Sequence, residues 1–310
     1  MAIERVVICG GGIMGRGIAQ LIAATGTEVT IVDLTDEIIR KSMELLSEEM
    51  DAEIEKWGLT SSEKKAILSR IKGATELKQV CDVPIIIEAI PEEEERKKRL
   101  LKELGELCSP ETIIVSNTST LSITELGAVT NRPDKFVGVH FLHPVTKIPL
   151  VEIVRGLRTS QKTYDLVKEF CQEQLNKTAV SVYEYPGYIT TRVIVPFLNE
   201  AMHVLMEGIA TAEDIDTAMK LGYGFHMGPL ALADAMGLDV LMRWMENLLN
   251  ELSEHKYNPC PLLRKLVRAG HLGKKTKLGF FIYDEEGNRI GENPEIRLRV
   301  FIPPPEERKS

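Results

Sequence analysis

Over the first 182 residues, short β-rich apolar runs alternate with stretches of 3.6-residue period, which predicts an α/β unit with a parallel sheet and crossover helices. The apolar runs are Ile3–Cys9, Glu28–Val32, Val83–Ala89, Thr112–Val115, Lys135–Phe141, Leu150–Val154 and Ala179–Val182. Between them helices are expected at Met14–Ala24, Asp36–Trp57, Ser62–Arg70, Glu92–Leu107, Ile123–Val129 and Gln161–Leu175. The second and third together exceed a simple crossover, so they are expected to project from the sheet as a helical hairpin. After Tyr185-Pro186-Gly187 only helical periodicity remains, over Tyr188–Glu207, Thr211–Leu221, Gly228–Ala235, Asp239–Leu252 and Pro261–Ala269. A Pro-Gly pair breaks elements. The expected organisation is an α/β domain over 1–184, an all-α domain over 185–283 and a loose, polar tail over 284–310 that carries Pro303-Pro304-Pro305.

The first apolar run ends in Gly10-Gly11-Gly12-Ile13-Met14-Gly15, where Gly10, Gly12 and Gly15 make a GxGxxG signature between a strand and a helix. Such glycines let the chain turn tightly and approach a pyrophosphate, whose charge then sits at the helix N-terminus. A Rossmann-type dinucleotide-binding domain follows, with Gly10, Gly12, Ile13, Met14 and Gly15 on the phosphates. Asp33 closes the next strand at about the 20-residue distance where a carboxylate accepts from the adenosine ribose hydroxyls. That charge would repel a 2′-phosphate, so NAD is expected rather than NADP. The purely structural alternative is a glycine turn followed by a helix-capping Asp.

A nucleotide fold does not choose a reaction. Val115-Ser116-Asn117-Thr118-Ser119 leaves a buried strand at its expected C-terminal end, where open α/β sheets bind ligands. His140 and Glu152 fall inside the apolar runs Gly138-Val139-His140-Phe141 and Leu150-Val151-Glu152-Ile153-Val154. A carboxylate in such a run needs a partner, because burying it alone costs several kcal/mol. An imidazole backed by a carboxylate can serve as general base for an alcohol while hydride leaves the carbinol carbon, and Ser119 could hold the oxygen. Spacing alone equally allows a structural His–Glu pair between two strands.

Composition narrows the partners. The 310 residues carry 38 Lys+Arg against 46 Asp+Glu, a formal charge of −8 that offers no basic surplus for nucleic acid. Hydrophobic residues at 44% with 27% charged fit a soluble globular chain, and no apolar run approaches the ~20 residues of a membrane span. The start lacks a basic-apolar-small leader pattern, so a cytoplasmic location is expected. Five widely spaced cysteines form no CxxC pair and are expected reduced, and His203, His226, His255 and His271 show no HxxxH or HExxH spacing, so no metal is expected.

Taken in order, these residues resemble the 3-hydroxyacyl-CoA dehydrogenase family, particularly its short bacterial 3-hydroxybutyryl-CoA dehydrogenase members, from Arg5 to about Tyr283. The likeness rests on the glycine turn, Glu88-Ala89-Ile90-Pro91-Glu92 with Lys97, Ser116-Asn117-Thr118-Ser119, Val139-His140-Phe141, Leu150-Val151-Glu152, Pro186-Gly187-Tyr188, Met227-Gly228-Pro229-Leu230 and Gly273-Lys274-Lys275-Thr276. The resemblance implies that His140 is the catalytic base and Glu152 its orienting carboxylate. It places Ser119 near the substrate's 3-oxygen and the nicotinamide, and Glu92, Lys97 and Lys275 on NAD. It further implies an acyl-CoA thioester substrate, Lys56 beside Trp57 near CoA, and a homodimer through the helical domain. Without the resemblance, the acidic-then-basic run Glu92–Arg99 reads as a solvated helix.

Two positions depart from the family pattern. His143 stands three residues after His140, where the family usually has an Asn that touches cofactor. It either hydrogen-bonds the cofactor instead or adds a second titrating group beside His140. Thr191 stands at the Asn of the usual Gly-Phe-x-x-Asn-Arg segment, where the side chain helps hold substrate, and its branched hydroxyl offers fewer donors than an amide. Lys147-Ile148-Pro149-Leu150 is also similar to gulonate and carnitine dehydrogenases, which use the same chemistry on free hydroxy acids. A low-turnover NAD(H)-binding protein of structural or regulatory role is the reading from a different class.

Overall fold

The computed structural model describes residues 2–56 and 58–296. The chain forms two compact units, one ending at Ile189 and the other beginning at Thr190. The first runs β1 (Arg5–Cys9), α1 (Ile13–Ala24), β2 (Glu28–Val32), α2 (Asp36–Glu55), α3 (Ser61–Leu68), β3 (Ile71–Ala74), β4 (Ile85–Glu88), α4 (Glu94–Leu107), β5 (Ile113–Ser116), α5 (Ile123–Ala128), β6 (Phe136–Phe141), β7 (Leu150–Arg155), α6 (Gln161–Glu169) and β8 (Thr178–Tyr183). Its eight strands lie in the order β3-β2-β1-β4-β5-β6-β7-β8. The order reverses at β1, so the crevice beyond the C-terminal ends of β1 and β4 is the position at which such sheets take a ligand.

Three differences from the sequence expectation bear on function. The sheet is mixed, because β7 runs antiparallel to β6. The loop of eight residues, 142–149, is too short for the crossover that a parallel pair requires. The α2–α3 pair does not simply project: Leu46, Met50 and Ile67 are buried in the same core as Ile8, Ile18 and Ile31. From α3 the chain returns as the unexpected edge strand β3, parallel to β2. The helix expected from Tyr188 starts at Thr190 instead, because Gly187 and Tyr188 both take left-handed backbone, at φ 78° and 51°.

The second unit holds α7 (Thr190–Met206), α8 (Ala212–Tyr223), α9 (Pro229–Met236), α10 (Leu238–Leu252) and α11 (Pro261–Arg268). Val195, Leu198, Met202, Leu230, Leu241 and Met245 are among the side chains that fill its core. It is not wholly helical, since β9 (Phe281–Tyr283) pairs antiparallel with β10 (Arg289–Glu292). The expected loose tail is therefore ordered at its start, where Asn293 is buried with its Nδ2 donating to the Gly279 carbonyl at 2.7 Å. Residues 297–310, with the proline run, lie outside the described residues.

Two buried carboxylates explain Gly228 and Gly279 in this unit. Asp216 accepts from the Leu230 and Ala231 amides at the start of α9, and a Cβ on Gly228 would fall 2.2 Å from the Asp216 Cγ. Asp234 accepts from the Phe280 and Phe281 amides and the Tyr283 hydroxyl, and a Cβ on Gly279 would fall 2.0 Å from its Oδ1. Burial pushes the Asp234 carboxyl up from 3.8 to about 6, although its three donors oppose the shift. The folded protein thus holds this proton more tightly than the unfolded chain does. The stability it confers is present at pH 4 and declines by up to about 3 kcal/mol as pH rises through 6. Urea unfolding at pH 4 and pH 7 should show Asp234→Asn free of this decline. An equal pH slope in wild type and variant would refute the assignment.

Candidate active site

The glycine turn after β1 is fixed by backbone collisions that only glycine avoids. Gly10 has φ 108°, and a Cβ there would lie 2.8 Å from the Ala89 oxygen. A Cβ on Gly15 would lie 1.8 Å from the Gly10 oxygen, whereas at Gly12 nothing falls within 4 Å. Gly12 is the N-cap of α1 with no side-chain cap, so the helix end is left to a ligand's anionic group. Ile13 is exposed and Met14 half-buried beside it. Asp33 receives the Gly11 amide on Oδ2 and the Leu34 amide on Oδ1, both at 2.8 Å. Arg16 and Ser42 donate to the Gly11 carbonyl at 3.1 and 2.9 Å, anchoring the turn to α1 and α2. An open helix N-terminus with an oriented carboxylate beyond the next strand suits a dinucleotide.

The second cluster is built on β6 and β7. Antiparallel register sets His140 directly opposite Glu152, and the His140 Nδ1 lies 2.7 Å from the Glu152 Oε2. Both are buried. The Glu152 Oε1 accepts from the Ile189 amide at 3.0 Å. A carboxylate at Nδ1 fixes that nitrogen as the donor, which leaves Nε2 to exchange a proton. The Tyr188 ring packs tilted against the imidazole, with centroids 5.8 Å apart, and its hydroxyl donates to the Leu121 carbonyl at 3.2 Å. Asn117 accepts from the Phe141 amide at 3.0 Å, tying the loop after β5 to the end of β6. Ser119, half-buried, lies on that same loop.

A third cluster is buried at the ends of β4 and β5. The Lys97 ammonium lies 2.6 Å from the Glu88 Oε1, 3.1 Å from the Ile90 oxygen and 3.3 Å from the Glu92 Oε2. Burial works against the charge on Lys97, but Glu88 and Glu92 raise its pKa overall. Burial likewise opposes the Glu92 charge. Lys97 and hydrogen bonds from Thr118, Ser119 and Thr120 outweigh that cost and hold the carboxyl below its ordinary value. Glu92 and Lys97, two of the residues that resemblance puts on NAD, are thus also held by the protein itself.

The other candidates are more dispersed. His143 is exposed on the loop after β6, preceding a cis bond to Pro144. Desolvation of the ring pulls its pKa below 6.5; the Glu49 charge opposes that shift and Arg16 adds to it. Lys56 is exposed at the C-terminus of α2, and Trp57 lies outside the described residues. In the second unit, Thr191 is buried in the first turn of α7, and Lys275 pairs with Asp239 at 2.5 Å. The five cysteines are free and buried. Among the described residues no trio of metal-ligating side chains forms and no helix is long and apolar enough to cross a membrane.

Sequence reasoning quoted Glu88, Asn117 and Tyr188 only as parts of motifs and gave them no role. For Glu88 a signal existed, since a carboxylate ending the run Ile85-Ile86-Ile87 must find a buried partner. The partners themselves, nine and 28 residues away, are set by the fold.

Two family models cover almost the whole described chain. One, described as 3-hydroxyacyl-CoA dehydrogenase, NAD binding domain, matches residues 5–185, and another, 3-hydroxyacyl-CoA dehydrogenase, C-terminal domain, matches residues 187–283. The chain belongs to the 3-hydroxyacyl-CoA dehydrogenase family. Within that family it is 44% identical to the probable 3-hydroxybutyryl-CoA dehydrogenase of Bacillus subtilis, over 92% of this chain and 99% of that protein. The 3-hydroxybutyryl-CoA dehydrogenase of Clostridioides difficile is 42% identical, over 91% of this chain and all of the relative. Among solved structures, FadB2 of M. tuberculosis matches with a TM-score of 0.89 at 34% identity, covering 92% of this chain and 100% of that one. The (S)-3-hydroxybutyryl-CoA dehydrogenase PaaH1 from Ralstonia eutropha matches with a TM-score of 0.83 at 42% identity and the same coverage.

Proposed function

We propose that this dehydrogenase interconverts a (3S)-3-hydroxyacyl-CoA and its 3-oxo thioester with NAD. The observation that carries the reading is the buried His140–Glu152 pair, whose Nδ1 is committed to the carboxylate at 2.7 Å. NAD, when bound, supplies the acceptor and donor of hydride at its nicotinamide. Gly10, Gly12, Ile13, Met14 and Gly15 hold its pyrophosphate and Asp33 its adenosine ribose, with Glu92, Lys97, Ser119, His143 and Lys275 as further cofactor contacts. In the oxidising direction the His140 Nε2 takes the proton of the 3-hydroxyl, and Glu152 stabilises the resulting imidazolium. The Ser119 hydroxyl holds the substrate oxygen during this transfer. Thr191 and Lys56 are further substrate contacts in this reading, the latter as a cation for a CoA phosphate.

The same reading includes a homodimer formed through the second unit and a cytoplasmic setting. Leu221, Tyr223, Phe225 and Met227 support the first, since four large apolar side chains within seven residues are exposed there. Free, buried cysteines support the second.

Purified protein is expected to oxidise NADH with acetoacetyl-CoA, with kcat/KM at least about tenfold lower for NADPH. Light scattering on the same sample should give twice the mass of one chain. Turnover of free 3-oxo acids without thioesters would redirect the assignment to hydroxy-acid dehydrogenases, and no turnover of either would overturn it.

A further inference from the structure

We propose that Glu88 is a positioning residue for this reaction, acting through Lys97 and Glu92 to set the loop that carries Ser119. The inference rests on the dehydrogenase reading in one respect, that the Ser119 hydroxyl meets the substrate oxygen.

The three residues before Glu88 are isoleucines, and its carboxylate is fully buried. Such a group persists only where donors surround it. Glu88 has three, each from a different segment. The Lys97 ammonium comes from α4 at 2.6 Å, the Ile90 amide from the turn after β4 at 2.9 Å and the Ser116 hydroxyl from the end of β5 at 2.5 Å. The Lys97 ammonium reaches onward to the Glu92 Oε2.

The other oxygen of Glu92 gathers the loop itself. Glu92 Oε1 accepts from the Thr118 hydroxyl at 2.5 Å, the Ser119 amide at 2.8 Å, the Thr120 amide at 3.0 Å and the Thr120 hydroxyl at 3.2 Å. Three consecutive residues are therefore strung on one carboxylate oxygen. Its direction is fixed by Lys97, and the place of Lys97 is fixed by Glu88. Without the Glu88 charge, the buried ammonium has only Glu92 as an anionic partner among the described residues and draws that carboxylate toward itself, away from the loop. A purely structural buried ion pair would not need to end on the amide of Ser119.

The test is Glu88→Gln, which keeps the size and one acceptor while removing the charge, studied alone and combined with Ser119→Ala. In NADH-dependent reduction of acetoacetyl-CoA, Glu88→Gln should lower kcat by about ten- to hundredfold, because a displaced hydroxyl no longer meets the reacting oxygen. The dissociation constant for NADH, read by fluorescence, should rise as well, because Glu92, Lys97 and Ser119 are also cofactor contacts in this reading, but by less than kcat falls. In the Ser119→Ala background the same change should cost less than about twofold more, since its route has already been removed.

Multiplicative losses in the double variant, or an unchanged kcat in Glu88→Gln, would overturn the assignment. Should Glu88→Gln fail to fold, Ser116→Ala removes a single donor and carries the same double-variant comparison, with a kcat loss of about threefold expected. The parent enzyme is measured alongside. Failure of the dehydrogenase reading then shows as an inactive parent, and failure of the Glu88 assignment as an active parent with independent losses.

Discussion

Replacing His140 by glutamine is expected to lower kcat with a 3-oxoacyl-CoA by about 10²–10⁴, the usual share of a positioned general acid or base. The amide can still donate to the Glu152 Oε2, now 2.7 Å from the imidazole, so the buried carboxylate keeps a partner. It cannot take up and release a proton near neutral pH. Affinity for NADH should be preserved, because the glycine turn and Asp33 follow β1 and β2, away from β6 and β7 in the sheet. Steady-state kinetics beside NADH fluorescence titration separates the two effects. A variant that keeps full turnover would remove His140 from the chemistry and leave the pair as a brace between β6 and β7.

The second large effect is expected at the turn. A methyl group at Gly15 would stand 1.8 Å from the Gly10 carbonyl oxygen, and since the Cβ position is set by the backbone and the oxygen is a backbone atom, no side-chain rotation relieves the overlap. Overpacking of this kind costs about 1–3 kcal/mol or more. It also shifts the amides that face a pyrophosphate, so Gly15→Ala should weaken NADH binding by about ten- to hundredfold. Its melting temperature should fall as well. Gly12→Ala makes the contrast, because its methyl enters open space at the exposed end of α1. That variant should melt with wild type and still bind NADH poorly, through collision with the ligand alone. Unimpaired NADH binding in both would mean that the cofactor lies elsewhere.

The features legible in the sequence are local. The glycine turn, Asp33 and the change of character near Tyr185 each depend on a few adjacent residues whose chemistry is legible in isolation. The strand β3 was not legible: Ile71-Lys72-Gly73-Ala74 is short, contains a glycine and a lysine, and lies at an edge where only one flank is paired. The antiparallel turn of β7 could have been inferred, since eight intervening residues exclude a parallel crossover. The alternation of strands with helices suggests a parallel sheet, and in the first unit it breaks only between β6 and β7, where no helix intervenes. Arg289-Ile290-Gly291-Glu292 was read as loose tail because its composition is polar, although β9 and the buried Asn293 hold it.

The catalytic candidates divide the same way. His140 and Glu152 were paired in advance because each is an ionisable residue in an apolar run and needed the other. The anchoring of the Ser119 loop was hidden, because its anchors at Glu92, Lys97 and Glu88 converge only after β4, β5 and α4 have packed. A charge run on an amphipathic helix gives no sign that one of its lysines turns inward. Lys97 is followed by Lys98, which pairs with Glu94 and Glu125 toward the surface.

The antiparallel step between β6 and β7 has a consequence for amide exchange. Strand β6 is flanked by β5 on one side and β7 on the other. Amides in such a central strand exchange with deuterium only when most of the unit opens, whereas loops open at little cost. Residues 136–141 and 150–155 should therefore label slowly in the absence of any nucleotide, while the first-turn amides of α1 at 12–15, which have no intrahelical acceptor, label faster and slow when NADH is added. The proton-handling pair is thus ready before the cofactor arrives, and binding only has to cover amides that the fold has already set in place.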